Sequence, residues 1–197
     1  FNNEAELELY TNGFYSYLPA ENIFMDDFST DNVEQGSVNE LVAGRTIVPT
    51  DAAEAGWTWS QLYNINYFIA NYRKAYENES ADIVNHYGGI APFFRALFYF
   101  QKLKRFGDVP WYSAPQYEGS PGLYKPRDPR TIVVDSIMAD LDFAIANVRA
   151  TKSVSRVTKW AALALKSPAA LFEGTFRKYH EELGLKPTAD NLLRAAL

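Results

Sequence analysis

Hydrophobic side chains recur every three or four positions after residue 57, which is the period of an amphipathic α-helix. The spacing predicts a helix over 57–77 with one apolar face in the core of the protein. That face consists of Leu62, Ile65, Ile69, Tyr72 and Tyr76. A stripe of this kind must be covered by another element, so a neighbouring helix is expected.

The next helix is predicted over 80–106 and is hydrophobic around most of its circumference. Ser80 is a suitable N-terminal cap, and Gly107 can take the backbone conformation that ends a helix. The side chains of 93–103 are so largely apolar that this helix must be covered on more than one side. A Gly-Gly-Ile-Ala-Pro run at 88–92 predicts a break, because a proline inside a helix removes a backbone hydrogen bond.

Two further helices are predicted in the second half of the chain. The first covers 130–148, with Asp128 as its cap and Pro129 at its first helical position. The second covers 158–180 and is rich in alanine, which lets a partner helix approach closely. Pro168 lies inside this second helix and predicts a kink there.

The pattern as a whole predicts an all-α fold built from paired helices. The segments 57–106 and 130–180 form a first and a second helix pair, and 188–197 begins a further helix. A short helix is predicted over 1–18. Between these elements, 19–56 has no periodicity and is rich in Asn, Asp, Ser and Gly, which is typical of a binding loop.

Charge makes nucleic acid a poor partner for this chain. The net charge is −5, but residues 1–57 contain eleven acidic residues and a single basic one, Arg45. An acidic first third repels a phosphate backbone, and the later basic residues are scattered among carboxylates.

No apolar run approaches the roughly 20 residues that a membrane-spanning helix needs. The chain begins at Phe1 without an initiator Met, so we expect it to be a processed or truncated piece of a protein.

Groups that could perform catalysis or bind a metal are few and unsuitably spaced. The Asp-Asp pair at 26–27, and Asp140 with Asp142, are the paired carboxylates. Residues two apart on a helix diverge by roughly 200°, so the latter pair cannot flank one bond and is predicted to be solvated. His86 and His180 lack metal-ligand spacing, and the chain has no cysteine. We therefore predict no enzyme activity, no metal and no cofactor.

Three segments, in this order, strongly resemble the SusD/RagB-like family of outer-membrane glycan-binding lipoproteins. They are FFRALFYFQKLKRFGDVPW, YKPRDPRTIVVDSIMADLDFAIANV and RVTKWAALALKSPAALFEGTFRKYH. The positions that match the family pattern are Arg95, Ala96, Tyr99, Phe100, the Phe-Gly-Asp-Val-Pro run at 106–110, Pro129, Arg130, 140–142, 156–159 and 178–180. The resemblance covers most of the chain and corresponds to the N-terminal part of longer family members.

The resemblance implies a tetratricopeptide-like α-α superhelix, with 1–197 as one N-terminal helical domain. It also implies a lipid-anchored protein on the cell surface of a Gram-negative outer membrane. Such a protein would bind an oligosaccharide and deliver it to a SusC-like TonB-dependent transporter. Two other function classes remain open, namely a tetratricopeptide-like scaffold that binds a peptide without sugar binding, and a helical enzyme.

Tryptophan supplies the candidate glycan platform. Of the two tryptophans before the 62–76 stripe, Trp59 is predicted to join the core and Trp57 to be exposed beside the acidic loop. An aromatic face packs on the apolar face of a pyranose, while neighbouring polar groups bond its hydroxyls. Trp57 with Asp31, Asn32 and Arg45 is therefore our hypothesis for part of a glycan site.

A structural role for these tryptophans remains open beside the glycan hypothesis. Trp57 could equally be a hydrophobic cover on the loop. Trp111, after the Phe-Gly-Asp-Val-Pro turn, and Trp160, in the alanine-rich helix, are predicted to serve packing.

Overall fold

The computed structural model describes residues 1–18, 40, 43–45 and 47–197. The fold is all-α, as the sequence predicts, and the described residues contain no β-strand, only an isolated bridge between Val109 and Asp128. The chain forms two compact units, one of 1–16 with 60–197 and one of 17–59. The first unit holds the helical core.

Six α-helices occur in the described part of the chain. They are α1 (Glu4–Asn12), α2 (Ser60–Asn71), α3 (Ala81–Phe106), α4 (Arg130–Asn147), α5 (Lys159–Tyr179) and α6 (Ala189–Ala195). Short 3₁₀ helices cover Gly13–Tyr17, Tyr72–Glu77, Glu181–Leu183 and Lys186–Thr188. From α2 to α6 each helix packs on the next one along the chain, and α1 also packs on α3. This is the pairwise packing of a tetratricopeptide-like fold.

The first predicted stripe is correct at three of its five positions. Leu62, Ile65 and Tyr72 are buried, Ile69 is half-buried, and Tyr76 is 42% exposed. The reason is that the helix tightens to a 3₁₀ helix from Tyr72. With three residues per turn, the position below Tyr72 is Ala75, which is fully buried instead.

Helix α3 is the centre of the core and is continuous. Ser80 accepts a hydrogen bond from the Ile83 backbone N–H, and Gly107 ends the helix with a φ of 69°, both as predicted. The predicted break was wrong, since 26 residues run through Pro92 as one helix. Helix α5 likewise continues through Pro168, which lies on its exposed side.

Close packing on two sides explains the glycine pair of α3. A Cβ atom added to Gly88 would lie 2.3 Å from a ring carbon of Tyr72, and one added to Gly89 would lie 2.8 Å from a methyl group of Val148. Both glycines are buried. Their missing side chains let α3 approach these neighbours closely.

A buried ion pair joins α3 to α4. Arg95 donates two hydrogen bonds of 2.7 Å to the two carboxylate oxygens of Asp140. The same guanidinium donates to the Asn66 side chain of α2 at 3.1 Å and to the Ser113 carbonyl at 3.4 Å. Asp140 was predicted to be solvated and is only 7% exposed, because this pairing compensates its charge. Asp142 is exposed and pairs with Lys166.

The connector between α3 and α4 is held by residues of the Phe-Gly-Asp-Val-Pro region. The Tyr99 hydroxyl donates to the Pro110 carbonyl and accepts from the Tyr112 N–H. Asp108 accepts from the Arg130 N–H at 2.8 Å, so it caps α4 in place of the predicted Asp128.

Asp128 instead secures the connector from its other end. Its carboxylate accepts from the Trp111 N–H and from the Lys125 ammonium, both at 2.6 Å. Burial alone would raise the pKa of Asp128, but these two bonds outweigh burial and hold the pKa below its usual value.

A second buried carboxylate joins α4 to α5. Glu173 is fully buried and accepts from Arg130 at 2.6 Å and from Arg177 at 2.8 Å. The Arg130 guanidinium also stacks 3.6 Å from the Phe176 ring centroid. The α3–α4 and α4–α5 junctions are therefore each fixed by a buried carboxylate as well as by apolar contact.

His86 links α3 to the segment after α4 through its unprotonated ring nitrogen. The Arg149 N–H donates to its Nδ1 at 3.2 Å. Partial burial and the nearby Arg149 charge lower the pKa of His86, while Asp82 opposes them. Protonation of Nδ1 would remove this acceptor, so the neutral ring is the form that the fold stabilises.

Gly88→Ala should destabilise the protein because its methyl group would displace the buried Tyr72 ring. We expect the free energy of unfolding to fall by about 1–3 kcal/mol, as for other overpacked cores. Urea denaturation measures this change. Gly13→Ala is the control, since its Cβ meets no atom within 4 Å. Equal stability of the two variants would contradict the packing argument.

Arg95→Met should be strongly destabilising because it leaves Asp140 buried without its partner. We expect a loss of about 3–5 kcal/mol in the free energy of unfolding. Lys166→Met removes the partner of the exposed Asp142 and should cost only about 0–1 kcal/mol. Urea denaturation of both variants measures the two losses. A loss for Lys166→Met as large as that for Arg95→Met would contradict the claim that the buried pair matters more than the exposed one.

His86 should make the fold less stable in mild acid. Its folded pKa is lowered, so the unfolded chain binds more protons once the pH falls below 6.5, and stability declines towards the folded pKa. His86→Gln keeps an acceptor for Arg149 and does not titrate. Between pH of about 7.5 and about 5.5, the wild type should lose more unfolding free energy than His86→Gln, as measured by urea denaturation. Identical losses would show that His86 is not the group responsible.

Candidate functional site

Trp57 and Trp59 form an aromatic pair in the unit of residues 17–59. Their ring centroids are 5.1 Å apart at an interplanar angle of 79°, an edge-to-face arrangement. The Trp57 N–H donates to the Ala52 carbonyl at 2.7 Å, and Gly56, with a φ of 74°, turns the chain before it. This turn sets the position of the Trp57 side chain.

Both tryptophans are partly exposed. Trp57 was predicted to be exposed and Trp59 to join the core, but both are half-buried, so neither prediction is confirmed in full. Each ring leaves only part of its surface open. The pair carries more aromatic surface than the sequence analysis assigned to Trp57 alone.

The polar members of the predicted site are only in part within the described residues. Arg45 is exposed and lies in a turn in which its N–H donates to the Glu40 carbonyl at 2.9 Å. Asp31 and Asn32 lie outside the described residues, as do Asp26 and Asp27. The grouping of Asp31, Asn32 and Arg45 with Trp57 stays a prediction.

The other two tryptophans differ from each other. Trp111 packs on the Tyr99 ring with centroids 4.1 Å apart, and Arg95 lies over its face at 5.3 Å. Its predicted packing role is confirmed. Trp160 is 54% exposed, and its indole N–H donates to the Ala150 carbonyl. For Trp160 the packing prediction was wrong, because its position on α5 faces solvent.

The buried carboxylates are occupied by arginine. Burial raises the pKa of Asp140, and the Arg95 guanidinium counters that effect. Glu173 is held between two guanidinium groups. A glycosidase needs two facing carboxyl groups beside an open cleft, and neither of these has that setting. In the described ranges, no three His, Cys, Asp or Glu side chains gather as metal ligands would.

Several partly exposed tyrosines on the helical unit were not predicted as candidate site residues. Tyr63 and Tyr67 are 37% and 38% exposed on α2, and Tyr117 of the connector is 53% exposed. The sequence did contain a signal for them. Tyr63 and Tyr67 are four positions apart, which places both on one side of α2, away from Leu62 and Ile65.

Across the segments that the structure describes, no helix combines the length and apolar character needed to cross a bilayer.

Comparison with known families identifies the chain's relatives. A SusD-like family model, described as "Starch-binding associating with outer membrane", matches residues 1–171. No curated protein sequence matches the chain.

Solved structures share the fold at low sequence identity. A SusD-like protein from Bacteroides fragilis is 20% identical with a TM-score of 0.74, over 97% of this chain and 38% of that one. A SusD homolog from Bacteroides thetaiotaomicron is 20% identical with a TM-score of 0.70, over 100% and 41%. A structure solved with a xylogluco-oligosaccharide is 21% identical with a TM-score of 0.56, over 73% and 29%.

The chain thus spans about two fifths of the length of the first two structures. The family match covers most of the chain, and the shared helical fold agrees with it. The chain therefore belongs to the SusD-like family, which is described as starch-binding and associated with the outer membrane.

Proposed function

We propose that this protein binds an oligosaccharide at the cell surface and delivers it to a SusC-like TonB-dependent transporter, held to the outer membrane by a lipid anchor. The observation that carries sugar binding is the partly exposed Trp57–Trp59 pair. The starch-binding description of the family and the relative solved with a xylogluco-oligosaccharide support it.

The tryptophan pair has the chemistry that a neutral sugar requires. The aliphatic hydrogens of a pyranose pack on an indole face, and its hydroxyl groups bond to nearby polar side chains. Arg45 is an exposed donor in the same unit, and Asp31 and Asn32 are the acceptors and donors that we assign beside it. The protein breaks no bond, since binding and release suffice for delivery.

Peptide binding by a tetratricopeptide-like scaffold is the second candidate. Exposed apolar side chains on α5 favour it, namely Trp160, Leu163 and Leu171. Such a face suits an apolar peptide better than a sugar, because it offers few hydrogen-bonding groups. Retention of sugar binding in Trp160→Ala separates this surface from the one at Trp57.

Trp57→Ala should lose oligosaccharide binding without losing the fold. We expect affinity to fall by at least about tenfold, or about 1.4 kcal/mol, because the stacking surface is removed. Calorimetric titration with maltohexaose and with xyloglucan oligosaccharides measures the affinity, and circular dichroism checks the helices. Trp160→Ala is the matched control, an exposed tryptophan on α5 that should leave affinity unchanged. Wild-type affinity in Trp57→Ala would remove Trp57 from the site.

Delivery and anchoring need a separate measurement. Expressed with its transporter in the native host, the protein should copurify with that transporter from detergent-extracted outer membranes. Recovery of the protein in the inner membrane would contradict the assignment.

A further inference from the structure

Four tyrosine rings follow one another across α1, α2 and the connector, and we call them the tyrosine row. Tyr10 and Tyr67 have nearly parallel rings at 6.1 Å between centroids, and Tyr67 and Tyr63 are at 6.4 Å. Tyr117 meets Tyr63 edge-to-face at 5.7 Å. The row therefore extends over several ring diameters, which is the scale of more than one sugar unit.

Three members of the tyrosine row lie outside the core, and Tyr10 connects the row to it, with its ring centroid 5.6 Å from that of the buried Phe68. Helix α2 buries Leu62, Ile65 and Phe68 on one side, while Tyr63 and Tyr67 are more than one third exposed on another. An aromatic residue used only for packing would share the buried face. Tyr63 and Tyr67 instead leave part of their surface open to solvent.

Polar groups of both signs border one end of the tyrosine row. A cleft of about 520 Å³ lies beside Tyr10 and Tyr67, and its wall includes Glu6, Asn71 and Lys74. Asn71 orders this wall, since its amide donates to the Tyr67 carbonyl and its oxygen accepts from Lys74, both at 2.8 Å. The wall thus offers a carboxylate, an amide and an ammonium in fixed positions.

This combination selects the chemical class of the ligand. Ring faces flanked by hydroxyl and amide groups suit a molecule with apolar faces and many hydroxyls, which describes a pyranose. The wall carries charges of both signs, with Glu6 lying 3.9 Å from the terminal ammonium of Phe1 and Lys74 adding a second cation. The ring faces themselves are uncharged, so a neutral sugar is the ligand class that the rings suit.

We propose that the tyrosine row is a binding surface for a neutral oligosaccharide, carried by the helical unit alone and by residues other than Trp57. This inference rests on the proposed function in that both concern sugar binding, but it names different residues. Stacked sugar units lie along Tyr67 and Tyr63, and the chain end enters the cleft beside Glu6 and Lys74.

The test compares ring removal with ring retention. Tyr63→Ala combined with Tyr67→Ala removes two rings, and alanine preserves the exposed helix. Tyr63→Phe combined with Tyr67→Phe keeps both rings. Tyr179→Ala is the control, since Tyr179 is 74% exposed at the end of α5. Each protein is titrated calorimetrically with maltohexaose, cellohexaose and xyloglucan oligosaccharides, with hexagalacturonate as the anionic comparison, after circular dichroism.

We expect the alanine pair to weaken binding of at least one neutral oligosaccharide by about tenfold or more. The phenylalanine pair and Tyr179→Ala should stay within about threefold of the wild type, because stacking is retained. Hexagalacturonate should bind more weakly than the neutral sugars. If the alanine pair unfolds, Tyr117→Ala in the connector replaces it with the same expectation.

Trp57→Ala, titrated in parallel, separates the two proposals. Wild-type affinity in the alanine pair with loss in Trp57→Ala overturns the tyrosine row and leaves the tryptophan site. Loss in the alanine pair with wild-type affinity in Trp57→Ala supports the row and removes the tryptophan site. Equal loss in the alanine and phenylalanine pairs, or no sugar bound by a folded wild type, also overturns the row.

Discussion

The buried pair of Arg95 and Asp140 is the interaction on which the helical unit depends. A guanidinium has five donors in one plane, and here they reach α4, the Asn66 side chain of α2 and the Ser113 carbonyl of the connector. Four segments thus meet at a single side chain. Without Asp140 the charge of Arg95 would be buried unpaired, so the pairing fixes which helices become neighbours.

The residues that reveal the family are for the most part those that fix this arrangement. Arg95, Tyr99 and Asp108 hold the connector and cap α4. Asp140 and Arg130 tie the helices together from the other side. The resemblance was therefore strong for a physical reason, since buried polar networks require specific residue types at specific positions. It says little about the ligand, because four of these five groups are buried and the exposed one, Asp108, is engaged as the cap of α4.

Exposed aromatic surface is where sugar binding would reside. The two buried carboxylates of the helical core, Asp140 and Glu173, are each paired with arginine. Trp57 with Trp59, and the tyrosine row with its mixed-charge cleft, each combine a ring face with nearby polar groups. In both proposals the ligand stacks on a ring face, and stacking tolerates several sugars while neighbouring hydrogen bonds select among them.

The sequence alone determined the all-α class, the ends of α3 and most of the α2 stripe, because helical period, caps and glycine preference are local properties. Tertiary structure decided the rest. Helix α3 runs through Pro92, and Gly88 and Gly89 in the turn before it pack closely against Tyr72 and Val148. Asp140 is buried because Arg95, 45 positions away in the chain, faces it. The exposure of Tyr63 and Tyr67 likewise depends on which face of α2 is covered by neighbouring elements. The local sequence of α2 does not show where those neighbours lie.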